Sequence, residues 1–165
     1  FRGGTGAAPR VFRDHVGIPL EVAVASADRE LCRQGLRNEV SLIACGSIRE
    51  SADVAKAIAL GADAVYIGTA ALAAMGCRVC GNCYQGLCPW GIATQRPDLV
   101  QRLDPDVASK QVANLIHAWT MEITELMGAA GVNSIEGLRG NRDRLRGYML
   151  DENLLNVLDV KPVGA

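Results

Sequence analysis

Two short apolar runs, VSLIACG (residues 40–46) and AVYIG (64–68), flank a single amphipathic stretch, SADVAKAIALG (51–61). Each run is short, partly β-branched and halted by a glycine, so each reads as a buried strand. Between them Ala52, Val54, Ala55, Ile58 and Ala59 share one helical face. Ser51 is a suitable N-cap, and Gly61 closes the helix. A second helical run, TAALAAM (69–75), follows the second strand. Strands joined through a helix pair in parallel, so this βαβα unit predicts an α/β fold with a parallel sheet.

Helices are expected on both sides of the unit. PLEVAVASADRELCRQGLR predicts a helix over about 19–36, opened by Pro19, with Leu20, Val24, Ala27, Leu31 and Cys32 on its apolar face. Residues 104–131 form the strongest helical pattern in the chain. Asp104 caps it, Pro105 takes the first position, and Val112, Leu115, Ile116, Trp119, Ile123, Leu126 and Met127 line one side. SIEGLRG and NRDRLRGYML predict one or two short helices, with an irregular tail to Ala165.

The bulk numbers exclude several classes. A formal charge of −1 with scattered Lys and Arg leaves no footprint for nucleic acid or an anionic membrane. Apolar runs fall far below the ~18 residues a membrane helix needs. No signal peptide is visible, and a cytoplasmic protein is expected. The chain opens on FRGGTGAAP, a glycine-rich loop with no initiator Met, which predicts a piece of a longer protein.

Cys77, Cys80, Cys83 and Cys88, of six cysteines in all, fall in GCRVCGNCYQGLCPWGIATQ (76–95). Disulfides are disfavoured in a chain without secretory features. A zinc site usually sets two Cys pairs on separate elements, whereas these form one compact cradle. Three cysteines two residues apart, and a final Cys-Pro, point to an iron–sulfur cluster, which thiolates ligate. Cys32 and Cys45 read as small core hydrophobes.

Both strands run into glycine loops, GSIRES and GTAAL. In a (β/α)8 barrel the loops after the last two strands, with a following helix N-terminus, often bind phosphate. Gly46 and Gly68 allow close backbone approach, Ser47 and Thr69 add hydroxyls, and Arg49 adds charge. The opening RGGTGAAP lacks the ending of a P-loop but suits close approach to a flat ring or a substrate. His15 and His117 read as structural, and Lys56 and Lys110 as solvated charges, so no catalytic acid or base is named.

GGTGAAP, GSIRESADVAKAIALGADAVYIGTAAL and GCRVCGNCYQGLCPWGIATQRPDL, in this order, resemble the FMN-binding synthase domain of the glutamate synthase family over residues 1–102. The archaeal-type proteins look most similar. The resemblance implies the C-terminal portion of a TIM (β/α)8 barrel, with 40–45 and 64–67 as strands seven and eight. It implies FMN, its phosphate held by Gly46, Ser47, Ile48 and Arg49, and by Ile67, Gly68 and Thr69. Gly3, Gly4 and Thr5 would lie near the flavin ring or substrate.

The family's three-cysteine [3Fe-4S] spacing is met by Cys77, Cys83 and Cys88, and the additional Cys80 implies a [4Fe-4S] cluster, with [3Fe-4S] as the fallback. The implied reaction reduces 2-iminoglutarate, formed from 2-oxoglutarate and ammonia, to L-glutamate. Electrons would pass from cluster to FMN. Implied partners are the missing N-terminal barrel half and glutaminase and electron-donor subunits or domains, with neither nucleic acid nor membrane.

The corresponding division is 1–76 as barrel, 77–103 as cluster loop and 104–165 as an α-helical C-terminal extension. Three readings compete. A methylamine–glutamate N-methyltransferase (N-methylglutamate synthase) resembles the same domain, and an iron–sulfur electron-transfer module would carry no flavin. A zinc module would carry no iron.

Overall fold

The computed structural model describes residues 3–6 and 8–165. Phe1, Arg2 and Ala7 of the glycine-rich opening lie outside the described residues. In chain order the helices and strands are α1 (Arg10–His15), α2 (Leu20–Arg33), β1 (Ile43–Cys45), α3 (Ser51–Ala59), β2 (Ala64–Tyr66) and α4 (Thr69–Ala74). After the cysteine loop come α5 (Pro97–Val100), α6 (Pro105–Ala129), α7 (Ile135–Leu138), β3 (Arg146–Gly147), α8 (Glu152–Leu158) and β4 (Lys161–Pro162).

β1 and β2 pair in parallel with Ile43 opposite Ala64, Ala44 opposite Val65 and Cys45 opposite Tyr66. The expected βαβα order is therefore present, with shorter strands. One face of this ribbon is covered: Ala44 is buried and Val65 packs against the core. Alternation sends Ile43, Cys45, Ala64 and Tyr66 to the other face, where all four are exposed.

The covered face rests on small side chains. Val24 and Ala25 of α2, Ala57 and Ile58 of α3, and Ala62 are buried in one cluster with Trp119 of α6 and Leu138 of α7. Alanine-rich surfaces let helix and strand backbones approach closely. α6 packs along α3 and α4. Its start is as expected, with the Asp104 carboxylate accepting from the N–H groups of Asp106 and Val107. Its buried stripe is narrower than expected. Ala108 and Trp119 are buried, and Leu115 and Met127 pack on the core, whereas Ile116 and Leu126 are exposed.

Other expectations need correction. Ser51 is the first helical residue of α3 rather than its cap; Glu50 takes the cap position without a side-chain bond. The start of α3 is held instead by Asp53, which accepts from the Arg49 N–H at 3.0 Å. Cys32 and Cys45 are not core residues, since both are exposed. Cys32 lies near the open C-terminal end of α2, and Cys45 belongs to the uncovered strand face. The region after α6 also holds a parallel pair, Arg146 with Lys161 and Gly147 with Pro162, beside its helices.

An ionic clasp ties this last region to the N-terminal ends of the strands. Asp28 on α2 accepts from Arg37 at 2.7 Å and from Arg142 at 2.9 Å. Arg142 also donates to the Leu60 and Ala25 carbonyls. Asp63, just before β2, accepts from the Leu42 N–H at 2.7 Å and pairs with Arg37 and Arg139. Gly61 is required here, because a Cβ would stand 2.3 Å from Asp28 Cγ at φ +121°.

Candidate functional site

The C-terminal ends of β1 and β2 open into a cleft beside the glycine-rich opening. Its walls there bring together Gly3, Gly4, Gly46, Ser47, Ile48 and Arg49 with Gly68 and Thr69.

 A separate cavity of about 480 Å³ lies beside the ionic clasp, lined by Asp28, Arg142 and Asp159. The strand-end cleft itself measures about 740 Å³.

Local backbone shape explains why these residues meet there. Gly46 and Ser47 have φ of 146° and 50°, so the chain turns sharply as it leaves β1. Ser47 holds a left-handed conformation that side chains rarely adopt. The buried Ile48 side chain anchors the loop in the core, and Asp53 holds the Arg49 N–H. Burial works to raise the Asp53 carboxyl, but the N–H groups of Arg49 and Glu50 and the Lys56 ammonium outweigh it and bring its pKa below the ordinary value. Gly68 caps α4, which begins at the cleft with its first-turn N–H groups free of intrahelical partners.

Thr5 and Ile67 are not brought to the cleft wall. Ile67 packs against the core, and the Thr5 carbonyl accepts from the Ala8 N–H. Arg13, Asp14, Cys45, Tyr66 and Val79 do line the cleft, although the sequence did not mark them as site residues. Cys45 and Tyr66 could have been found, since register partners at strand ends share a face. Arg13 and Asp14 sit on a short helix with no pattern to announce them. His15 and His117 are both exposed.

The cysteine loop leaves α4 and winds through left-handed residues at Gly76, Val79, Gly81 and Gly86. The Val79 N–H donates to Cys77 Sγ at 3.3 Å. Cys88 is buried. Burial works to raise its thiol, but the N–H groups of Ala93, Trp90, Ile92 and Gly91 converge on the sulfur and bring its pKa below the ordinary value. Gly91 makes this turn possible: at φ +77°, a Cβ would stand 2.7 Å from the Leu99 carbonyl oxygen. Cys83 is raised by burial and then by the charges of Cys77, Cys80 and Cys88, so the four thiols share one neighbourhood. Among the described residues, however, no three His, Cys, Asp or Glu side chains are gathered closely enough to hold a metal ion as they stand. The donor chemistry suits a cluster, because thiolates and N–H···S bonds are its usual protein environment.

The glycine-rich opening touches both features. Gly3 and Gly4 wall the cleft, while a Cβ on Gly6 would stand 3.4 Å from Cys83 Sγ.

A family profile described as "Conserved region in glutamate synthase" matches residues 1–133. The chain belongs to the glutamate synthase family. It is 71% identical over 164 residues to an archaeal glutamate synthase (NADPH) from Methanocaldococcus jannaschii, covering 99% of this chain and 32% of that protein. An archaeal-type glutamate synthase (NADPH) from Thermotoga maritima is 58% identical over the same shares. The glutamate synthase (NADPH) large chain of Bacillus subtilis is 35% identical, covering 88% of this chain and 9% of its own length. The chain thus spans about a third of the archaeal-type glutamate synthases it matches. Among its described residues, no helix is long and apolar enough to cross a membrane.

Proposed function

We propose that this chain supplies the cofactor-bearing part of a glutamate synthase, with FMN in the strand-end cleft and a [4Fe-4S] cluster on Cys77, Cys80, Cys83 and Cys88. One observation carries the reading: the stretch Gly3–Gly6 borders both the cleft and Cys83. A two-electron cofactor and a one-electron relay need such adjacency to exchange electrons.

When bound, FMN supplies hydride transfer and the cluster supplies single electrons. The chain's own residues bind and orient. Gly46, Ser47, Ile48, Gly68 and Thr69 offer backbone N–H groups and hydroxyls to a phosphate, and Arg49 offers positive charge. The N–H groups around Cys77 and Cys88 stabilise ligating sulfur. Cys80 is exposed and lies in the same loop between Cys77 and Cys83, which favours a four-cysteine set over the three-cysteine fallback.

In the whole protein, 2-oxoglutarate and ammonia would condense to 2-iminoglutarate with loss of water, and two electrons and two protons, delivered as a hydride and a proton, would complete L-glutamate. The relatives' names support NADPH as the electron source and favour this reaction over amine exchange on glutamate. The exposed face of β1 and β2 suits the interior of a (β/α)8 barrel whose other strands lie elsewhere in the protein. Glutaminase and electron-donor subunits or domains would supply ammonia and electrons. Four unpaired thiols suit a reducing cytoplasm.

Anaerobic purification of the full-length protein, with iron, sulfide and FMN quantified, tests the reading. Iron and sulfide in equal amounts beside FMN, with glutamate formed from 2-oxoglutarate and ammonia, support it. Zinc in place of iron, or iron without flavin, overturns it.

A further inference from the structure

Arg13 lies between the two sites. Its Nη1 donates to the Gly81 carbonyl at 3.2 Å, a contact bridging α1 to the loop segment between Cys80 and Cys83. A Cβ on Gly81 would stand 3.5 Å from Arg13 Nη2, so the guanidinium lies against this backbone. The same side chain borders the cleft and is 22% exposed. Gly4 lets the helix approach, since its Cβ would stand 3.0 Å from Arg13 Cα. Asp14 accepts from Arg13 Nε at 3.0 Å and from the more exposed Arg10 at 3.4 Å.

We propose that Arg13 is a positioning residue for the cysteine loop, and that its fixed charge, moderated by Asp14, sets the reduction potential of the cluster held there. The proposal rests on the cluster reading above. A cluster gains negative charge on reduction, so a nearby guanidinium favours the reduced form, and removing it lowers the potential. Removing Asp14 frees the guanidinium from a countercharge and raises the potential. Arg13→Lys keeps the charge while losing the planar fork that meets the Gly81 carbonyl.

The test is potentiometric titration of the full-length holoprotein, followed by EPR, for wild type, Arg13→Gln, Arg13→Lys and Asp14→Asn. Expected at fixed applied potential is a roughly tenfold fall in the reduced-to-oxidised ratio for Arg13→Gln, about 59 mV for a one-electron couple. Arg13→Lys should stay within about threefold of wild type, and Asp14→Asn should move the ratio upward. Arg13→Gln within about twofold of wild type overturns the proposal, as does Asp14→Asn shifting in the same direction as Arg13→Gln. If Arg13→Gln holds no iron, the Asp14→Asn variant decides: an upward shift supports the proposal, and no shift or a downward one overturns it. Iron-free wild type removes the cluster reading itself, whereas an iron-loaded wild type with unmoved variants removes this inference alone.

Discussion

Gly3→Ala is the sharpest test of the cleft. Gly3 has φ +77°, and a Cβ there would stand 2.6 Å from the Cys45 carbonyl oxygen. The left-handed conformation costs an alanine about 1–2 kcal/mol. The overlap is with backbone at the end of β1, which cannot swing aside as a side chain would, and relieving it costs about 1–2 kcal/mol more. The sum, about 2–4 kcal/mol, opposes docking of the loop and corresponds to roughly 30- to 700-fold weaker FMN binding where binding needs the docked loop. Gly4→Ala, whose Cβ would stand 3.0 Å from Arg13 Cα, should cost less because no positive φ is involved. Titrating flavin-free full-length protein with FMN, followed by flavin fluorescence, measures both. A Gly3→Ala dissociation constant within about threefold of wild type would refute the reasoning.

Cys80→Ser should leave a three-cysteine set, with about one iron atom fewer per protein and an EPR signal in the oxidised state; unchanged iron and a silent oxidised spectrum would speak against Cys80 as a ligand. The Asp63 carboxyl is raised by burial but brought below its ordinary value by the Leu42 N–H, Arg139 and Arg37. Its stabilisation is therefore present above about pH 4 and lost as pH falls through the lower folded value. Asp63→Asn should reduce protection of the Leu42 amide from hydrogen exchange at pH 7 and lose this difference in acid; equal protection at pH 7 would count against the clasp. The 165-residue chain expressed alone should bind hydrophobic dyes and self-associate through its exposed strand face, with Ile43 44% and Tyr66 63% exposed. A monomeric, dye-negative chain would contradict this.

The apolar runs made β1 and β2 legible, and helical spacing made α2, α3, α4 and α6 legible, because local burial patterns carry both signals. The same logic misread Cys45. A short apolar run looks buried on both faces, yet only Ala44's side of β1 is covered here. Ile116 and Leu126 were misplaced because spacing gives the phase of a helix but not the width of the surface it meets. Gly3, Gly4, Gly46 and Gly68 could be picked out because glycine marks turns and close approach. Ile67 could not be separated from its neighbours, since the side to which a strand-end residue turns depends on tertiary packing. Arg13 left no local signal at all: its partner Gly81 is 68 residues away.

The two ends of β1 and β2 divide the work of the molecule. At their N-terminal ends, paired charges on Asp28, Asp63, Arg37 and Arg142 fix the helices and the last region of the chain. At their C-terminal ends the contacts are sparse and involve backbone: glycines, a left-handed Ser47, and carbonyls and N–H groups left available. A cleft that must admit a phosphate and a flat ring cannot fill itself with side chains, so its precision has to come from the rigid end. This makes an asymmetric demand on substitutions. Loosening the clasp should disturb the cleft through the strands, whereas emptying the cleft should leave the clasp intact.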